Sequence, residues 1–404
     1  MKTILIVLAF ASTPFPVLAQ ETSSSVWGKN LLAHVQQMPQ IEAARERMNA
    51  EAFNRDALRA PLYNPSISAQ LENDDTTNFQ FGINQTLDLS GKRKTRQQLG
   101  TAQYKLAGFS FDVELQSYLG NVLTALAGFE AAARQKDLAL AHSENLKTLS
   151  ILTKRRLENG DLGSVDGALA NYALSAALPE LADAENAYIT AEATLKTLLG
   201  DQYRRFVILP GDASWRDSGL VDTKSLVEEN PRVVQALQQF RVAKAEVNVA
   251  KRNRRADPTV GVIAGRDEGA SLVGLNVSVP LNIRNSYKAP VKANARKANA
   301  AEFNYQQVQR STLAELEGAL ATWRANSAQL TRYKRLISSQ ENEGLSLLKA
   351  QWTAGDLSTA DYVQALSRWQ ESVAAGIQLQ RMQRQSLIAW LSSSGQITDW
   401  LSRR

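Results

Sequence analysis

Two short turns carry most of the chemistry that this sequence offers. Gly160-Asp161-Leu162-Gly163-Ser164 and Gly355-Asp356-Leu357-Ser358-Thr359 repeat one pattern, and each is followed by a further carboxylate, Asp166 and Asp361. In such a pattern glycine stops one helix, and Asp or Ser opens the next by accepting its exposed N–H groups. Other candidates for chemistry are few. His34 and His142 fall on separate helical runs without a second ligand at helical spacing, so they are read as surface or packing residues. The sequence holds 0 cysteines, which removes a thiol nucleophile, a thiolate metal site, a disulfide and an N-terminal lipidated Cys. No paired carboxylate, phosphate-cradling glycine loop or nucleophile motif is present. Enzymatic function has no support, and neither a resident metal nor a cofactor is expected.

Composition narrows the partners. Lys and Arg number 46 against 40 Asp and Glu, for a net charge of +6. That balance describes a solvated helical surface better than a nucleic-acid binder, and no nucleic-acid partner is expected. Residues 1–19 read as a secretory signal: Lys2, the apolar run Ile4–Phe10, then Val17-Leu18-Ala19 before Gln20. Pro14 and Pro16 interrupt that run, which falls short of the roughly twenty apolar residues of a membrane span.

The turns need long elements to place them. Residues 91–159 contain no proline and carry an apolar stripe through Leu115, Leu119, Val122, Leu126, Phe129 and Ala133. A single helix of that length runs on the order of 100 Å, and its stripe must be covered by other helices. Gly100, Gly108, Gly120 and Gly128 recur along it, each costing roughly 1 kcal/mol of helix propensity, and mark close approaches of neighbouring helices.

A repeat supplies the cover. A helical run from Leu31 to about Arg59 precedes a hairpin at 65–89, in which Ile67, Ala69 and Leu71, then Phe79, Phe81, Ile83, Leu87 and Leu89, alternate with polar residues. The long helix 91–159, the tip turn 160–164 and another helix to about Gly200 complete a first repeat over 20–200. An irregular segment follows at 201–223. Pro231 then answers Pro39, Pro258 answers Pro65 and Gly355 answers Gly160, at offsets of 192, 193 and 195. The second repeat, 224–404, holds a hairpin at 258–281, a long helix at 287–353, a tip turn at 354–358 and a final helix. In each half a helix of about thirty residues precedes the hairpin, and one of about thirty-five follows the turn; laid end to end they match the long helix at about 1.5 Å per residue.

The strands, at eight to eleven residues, are long enough to cross a bilayer when tilted. Alternation of apolar and polar residues suits one face in lipid and the other in a wet lumen. Four strands cannot close a barrel and open edges cannot survive in hydrocarbon, so several protomers must share one. The competing reading is a periplasmic coiled-coil protein, structural or adaptor-like, whose hairpins stay in water. The fold class is mainly α with a membrane β-barrel part, internally duplicated.

With repeat, hairpins and turns in order, the chain resembles the TolC family of outer-membrane efflux channels over nearly all of its mature length. The matching pieces are Asn64-Pro65 and Asp257-Pro258, the run Gln85–Arg93 leaving the second strand, Val279–Asn285 at the equivalent place, and both Gly-Asp-Leu turns. The Gly-Lys-Arg and Arg-Asn segments look closest to the heavy-metal and cation efflux branch, although no Met or His ladder marks a metal path. The resemblance implies a homotrimer in the outer membrane of a Gram-negative bacterium, with a twelve-stranded barrel in lipid and a long α-helical barrel in the periplasm. It would be the exit duct of a tripartite system, docked on a periplasmic adaptor of an inner-membrane pump. Polypeptide secretion through the same fold is the alternative. By the same resemblance Gly160, Asp161, Leu162, Ser164, Gly355, Asp356, Leu357 and Thr359 would meet the adaptor. Asp361 would ring the periplasmic constriction, with Gln364 in place of the family's next acid.

Overall fold

The computed structural model of the chain describes residues 24–73, 77–211, 215, 223–267, 270–337 and 341–403. The expected signal at 1–19 and the polar hairpin tip at 74–76 lie outside them. Two copies of one helical plan are joined through a single sheet. The first copy contains α1 (Ser24–Val35), α2 (Pro39–Arg59), β1 (Ser66–Asn73), β2 (Thr77–Thr86), α3 (Lys92–Glu158) and α4 (Ser164–Leu199). A 3-10 turn at Gly200–Arg205 ends it. The second contains α5 (Thr223–Glu229), α6 (Pro231–Asn253), β3 (Thr259–Asp267), β4 (Ala270–Ser278), α7 (Lys288–Ile337), α8 (Glu341–Ala354), α9 (Thr359–Ser394) and α10 (Ile397–Arg403).

The 67 residues of α3 give a rod of about 100 Å. It starts where Asp88 leaves the strand and caps the helix, its two carboxylate oxygens accepting the N–H groups of Lys92 at 2.8 Å and Arg93 at 2.7 Å. That cap is why β2 stops at Thr86 rather than running through Leu89. Along the rod, α2 and α4 pack on α3, while α6 and α9 bridge α3 to α7.

The thirty-residue helix expected before each hairpin is two helices. Pro39 and Pro231 lack an N–H and occupy the first turns of α2 and α6, so the preceding α1 and α5 end separately. In the second repeat the long run is described as α7 and α8; residues 338–340 between them lie outside the described set.

The four strands form one antiparallel sheet in the order β1-β2-β3-β4. The β2–β3 pairing, from Phe79 opposite Arg266 to Thr86 opposite Thr259, joins the two repeats. Edges β1 and β4 have no partner strand among the described residues.

Three apolar clusters run down the helices. A central one gathers Trp27, Leu119, Leu123, Leu199, Trp215, Trp323, Leu387 and Trp390, with α1 and α10 packed together beside it. A second, near the turns, holds Leu146, Leu149, Trp352, Tyr362 and Leu366. A third binds α5, α6 and α7 through Leu226, Val227, Val233 and Leu316. Of the four α3 glycines, two meet neighbours: a Cβ on Gly100 would lie 3.1 Å from the Arg55 backbone, and one on Gly120 3.3 Å from Ser392 Oγ. Gly108 and Gly128 face open space in the single protomer, so close approach within the chain accounts for only half the pattern.

Candidate functional site

Both turns close in the same way. Gly160 and Gly355 take φ of +83° and +87°, the left-handed region that favours glycine. The next N–H reaches back to the helix, Asp161 to Arg156 O at 2.8 Å and Asp356 to Gln351 O at 3.0 Å, which satisfies carbonyls that the helix end leaves free. The following helices are capped at Gly163 and Ser358. Ser358 Oγ accepts the Asp361 N–H at 3.1 Å and donates to Asp361 Oδ2 at 2.6 Å; in the first turn Asp166 Oδ2 accepts the Gly163 N–H at 3.2 Å. Asp166 and Asp361 are thus equivalent third-position residues of α4 and α9.

The structure sorts the site residues by exposure. Gly160, Asp161, Ser164, Gly355 and Asp356 are exposed, as are Asp361 and Gln364 one turn further on, and Leu162 is half-buried. Leu357 packs partly on the cluster below it. Thr359 departs from the expected exposed set: it is buried, and its hydroxyl accepts from Trp352 Nε1 at 3.4 Å. The reason is that Trp352 folds onto the start of α9 and stacks on Tyr362 with ring centroids 5.4 Å apart.

Arg156 ties one turn to the other, a contact that its sequence position alone does not reveal. Its guanidinium lies over the Trp352 ring at 4.9 Å and donates to the carbonyls of Trp352 at 3.3 Å and Thr353 at 2.6 Å, capping α8 from α3. Both histidines are packing residues. His34 Nε2 bonds Leu199 O at 2.9 Å, and His142 is buried, which pushes its pKa down. Among the described residues no group of three or more His, Asp or Glu could hold a metal ion.

At the other end the sheet presents its apolar face outward. The row Ile67, Ile83, Val262, Leu275 crosses all four strands in register. These residues are 81%, 62%, 53% and 83% exposed, so they stand largely uncovered among the described residues. The opposite face carries Ser66, Asn84, Gly261 and Asn276 in the adjacent row. Ile263 and Leu272 are apolar exceptions there; Ile263 is seated between Gly82 and Gly274, whose added Cβ atoms would lie 3.1 and 3.2 Å from it. Among the described residues no helix is long and apolar enough to cross a membrane.

Residues 32–201 match the family of outer membrane efflux proteins. Over about nine-tenths of its length, 91% to 93%, the chain has the fold of solved outer-membrane channels. It superposes on CusC, described for its folding and transmembrane channel formation, with a TM-score of 0.74 at 15% identity, over 91% of this chain and 92% of that one. It superposes on the CmeC outer membrane channel of Campylobacter jejuni with a TM-score of 0.74 at 15% identity, over 93% and 88%. In sequence it is 26% identical over 241 residues to the nickel-cobalt-cadmium resistance protein NccC of Alcaligenes xylosoxydans xylosoxydans, covering 57% of this chain. The chain spans about half the length, 52%, of that curated relative.

Two buried ionic groups of this fold lie away from both turns. Where strands meet helices, Asp257 accepts from Ser90 Oγ at 2.6 Å, Tyr63 OH at 2.9 Å and Lys92 Nζ at 2.9 Å. Burial works against this carboxylate, but the three donors outweigh it and hold its pKa below the ordinary range. At mid-length Arg384 pairs with Glu130 beside Trp215, on the wall of a cleft of about 710 Å³. Burial lowers the Arg384 pKa to about 10.

Proposed function

We propose that the protein is the passive exit duct of a tripartite efflux system in the outer membrane of a Gram-negative bacterium, and that it works as a homotrimer. The exposed apolar face of the sheet carries this reading. Burying that face only in lipid exposes two open edges to hydrocarbon, where unpaired backbone groups cost several kcal/mol each. Edge β4 of one protomer therefore pairs with edge β1 of the next, and three four-stranded sheets close a twelve-stranded barrel. The helices below continue it as an α-helical barrel through the periplasm. The turns form its far end and dock on a periplasmic adaptor, which links the duct to an inner-membrane pump. Asp361 lies one turn inside that end, where three copies form an acidic ring that favours cations. The resemblance to NccC favours metal cations as cargo.

The sequence lacks cysteine, so introduced cysteines report without background. Cysteines scanned along β1 and β4 are expected to give a disulfide ladder that ends at a trimer, and a photo-crosslinker at Leu162 is expected to capture the periplasmic adaptor. A ladder that ends at a dimer, or a folded protein recovered only in the soluble periplasmic fraction, would overturn the duct and favour the coiled-coil reading.

A further inference from the structure

Where the strands enter the helices, four stretches of chain are stitched into one surface. Arg93 Nε donates to Arg59 O at 3.0 Å, Arg252 Nη1 to Ser90 O at 3.1 Å, Arg254 Nε to Ser286 O at 3.1 Å, and Asn282 Nδ2 to Arg254 O at 2.9 Å. The surface is strongly basic. Residues 88–96, 251–257 and 282–288 contain ten Lys or Arg and only two acids, Asp88 and Asp257. Both acids are already engaged, Asp88 by the start of α3 and Asp257 by Lys92, Ser90 and Tyr63. Lys94, Arg255, Arg284 and Lys288 are exposed and form no ion pair among the described residues.

This belt adjoins the apolar face directly. Leu89, Leu281 and Ile283, 74%, 75% and 80% exposed, lead straight into it, and Tyr287 stands at its rim, 40% exposed. Apolar side chains, then a tyrosine, then unpaired cations is the order in which acyl chains, interface and anionic headgroups are met at a membrane surface. At the other end of the sheet the described strand ends carry Glu72 and Asp267 beside Arg266. Lys and Arg are thus concentrated on the helix side of the sheet.

We infer that this collar binds the anionic headgroups of the phospholipid leaflet on the helix side of the sheet, and so fixes the depth and orientation of the duct. The inference rests on the membrane reading above. Its test uses the full chain with phosphatidylcholine vesicles, with and without phosphatidylglycerol, reading the inserted fraction at low and high salt. The collar variant Lys94→Gln, Arg255→Gln, Arg284→Gln, Lys288→Gln is compared with a control of equal charge change on exposed helical surface, Lys147→Gln, Arg310→Gln, Arg332→Gln, Lys349→Gln.

Each cation near an anionic surface contributes on the order of a fivefold preference, so after screening the collar variant is expected to lose the phosphatidylglycerol preference by about tenfold or more. It should still insert into phosphatidylcholine as the native protein does, which also reports its folding, and the control should keep the preference. High salt should erase the native preference. A preference that survives in the collar variant, falls equally in the control, or ignores salt overturns the inference. A native protein that inserts equally into both vesicles overturns the collar and leaves the duct standing. One that inserts into neither removes the duct and the collar with it.

Discussion

Asp257 shows how one residue can join two repeats. The residue is 3% exposed, and its partners, Tyr63, Ser90 and Lys92, all come from the first repeat. Removing one member of a buried pair leaves the other charge without compensation, so Asp257→Ala is expected to cost about 3 kcal/mol, measured by thermal unfolding. Asp257→Asn, which keeps shape but not charge, isolates the pH effect. Because the folded-state pKa lies below the ordinary value of about 3.9, the stabilisation is complete above that value and is lost as pH falls through the lower one. Native protein should therefore lose stability on acidification more steeply than Asp257→Asn, and parallel acid limbs would contradict this assignment. The sequence shows Asp257-Pro258 but gives no sign of this cluster, because its members lie 165 to 194 positions apart. The turn glycines were legible for the opposite reason: their left-handed φ is a local demand that glycine meets best. Thr359 was not, since only the fold brings Trp352 over it.

Helices and strands differ in how much their own sequence determines. Alternation marked the hairpins because each strand keeps one face apolar, yet the β2–β3 pairing between repeats has no local signal. Proline placed the starts of α2 and α6, and also split runs whose apolar spacing reads through without a break. Glycine contacts divide in a way that separates intrachain from interchain packing. A Cβ on Gly376 would meet the Tyr333 hydroxyl, which itself donates to Ser372 O at 3.0 Å, so Gly376→Ala forces the α7–α9 crossing apart. A destabilisation of about 1–3 kcal/mol is expected, as for other overpacked cores. Gly128→Ala meets nothing within the protomer and should gain up to about 1 kcal/mol of helix propensity there. If the same change weakens the proposed trimer in a dissociation assay, Gly128 faces a neighbouring protomer; a uniform gain in both states places it away from the interface.

At the scale of the molecule, the two ends are built for different surroundings. The sheet end exposes apolar rows above a basic collar, while the turn end exposes aspartates and backbone at two glycine-closed tips that Arg156 and Trp352 hold together. A rod of about 100 Å separates them, long enough that one end can sit in lipid while the other reaches a partner deep in the periplasm. A duct of this kind requires that separation and closure of the sheet by three copies. Single-channel conductance of the purified protein in planar bilayers tests both at once, with Asp361→Ala beside native and divalent cations added on the turn side. Stable insertion, block of the native channel by divalent cations, and higher conductance with weaker block in Asp361→Ala are expected. Folded protein that never inserts would contradict the duct.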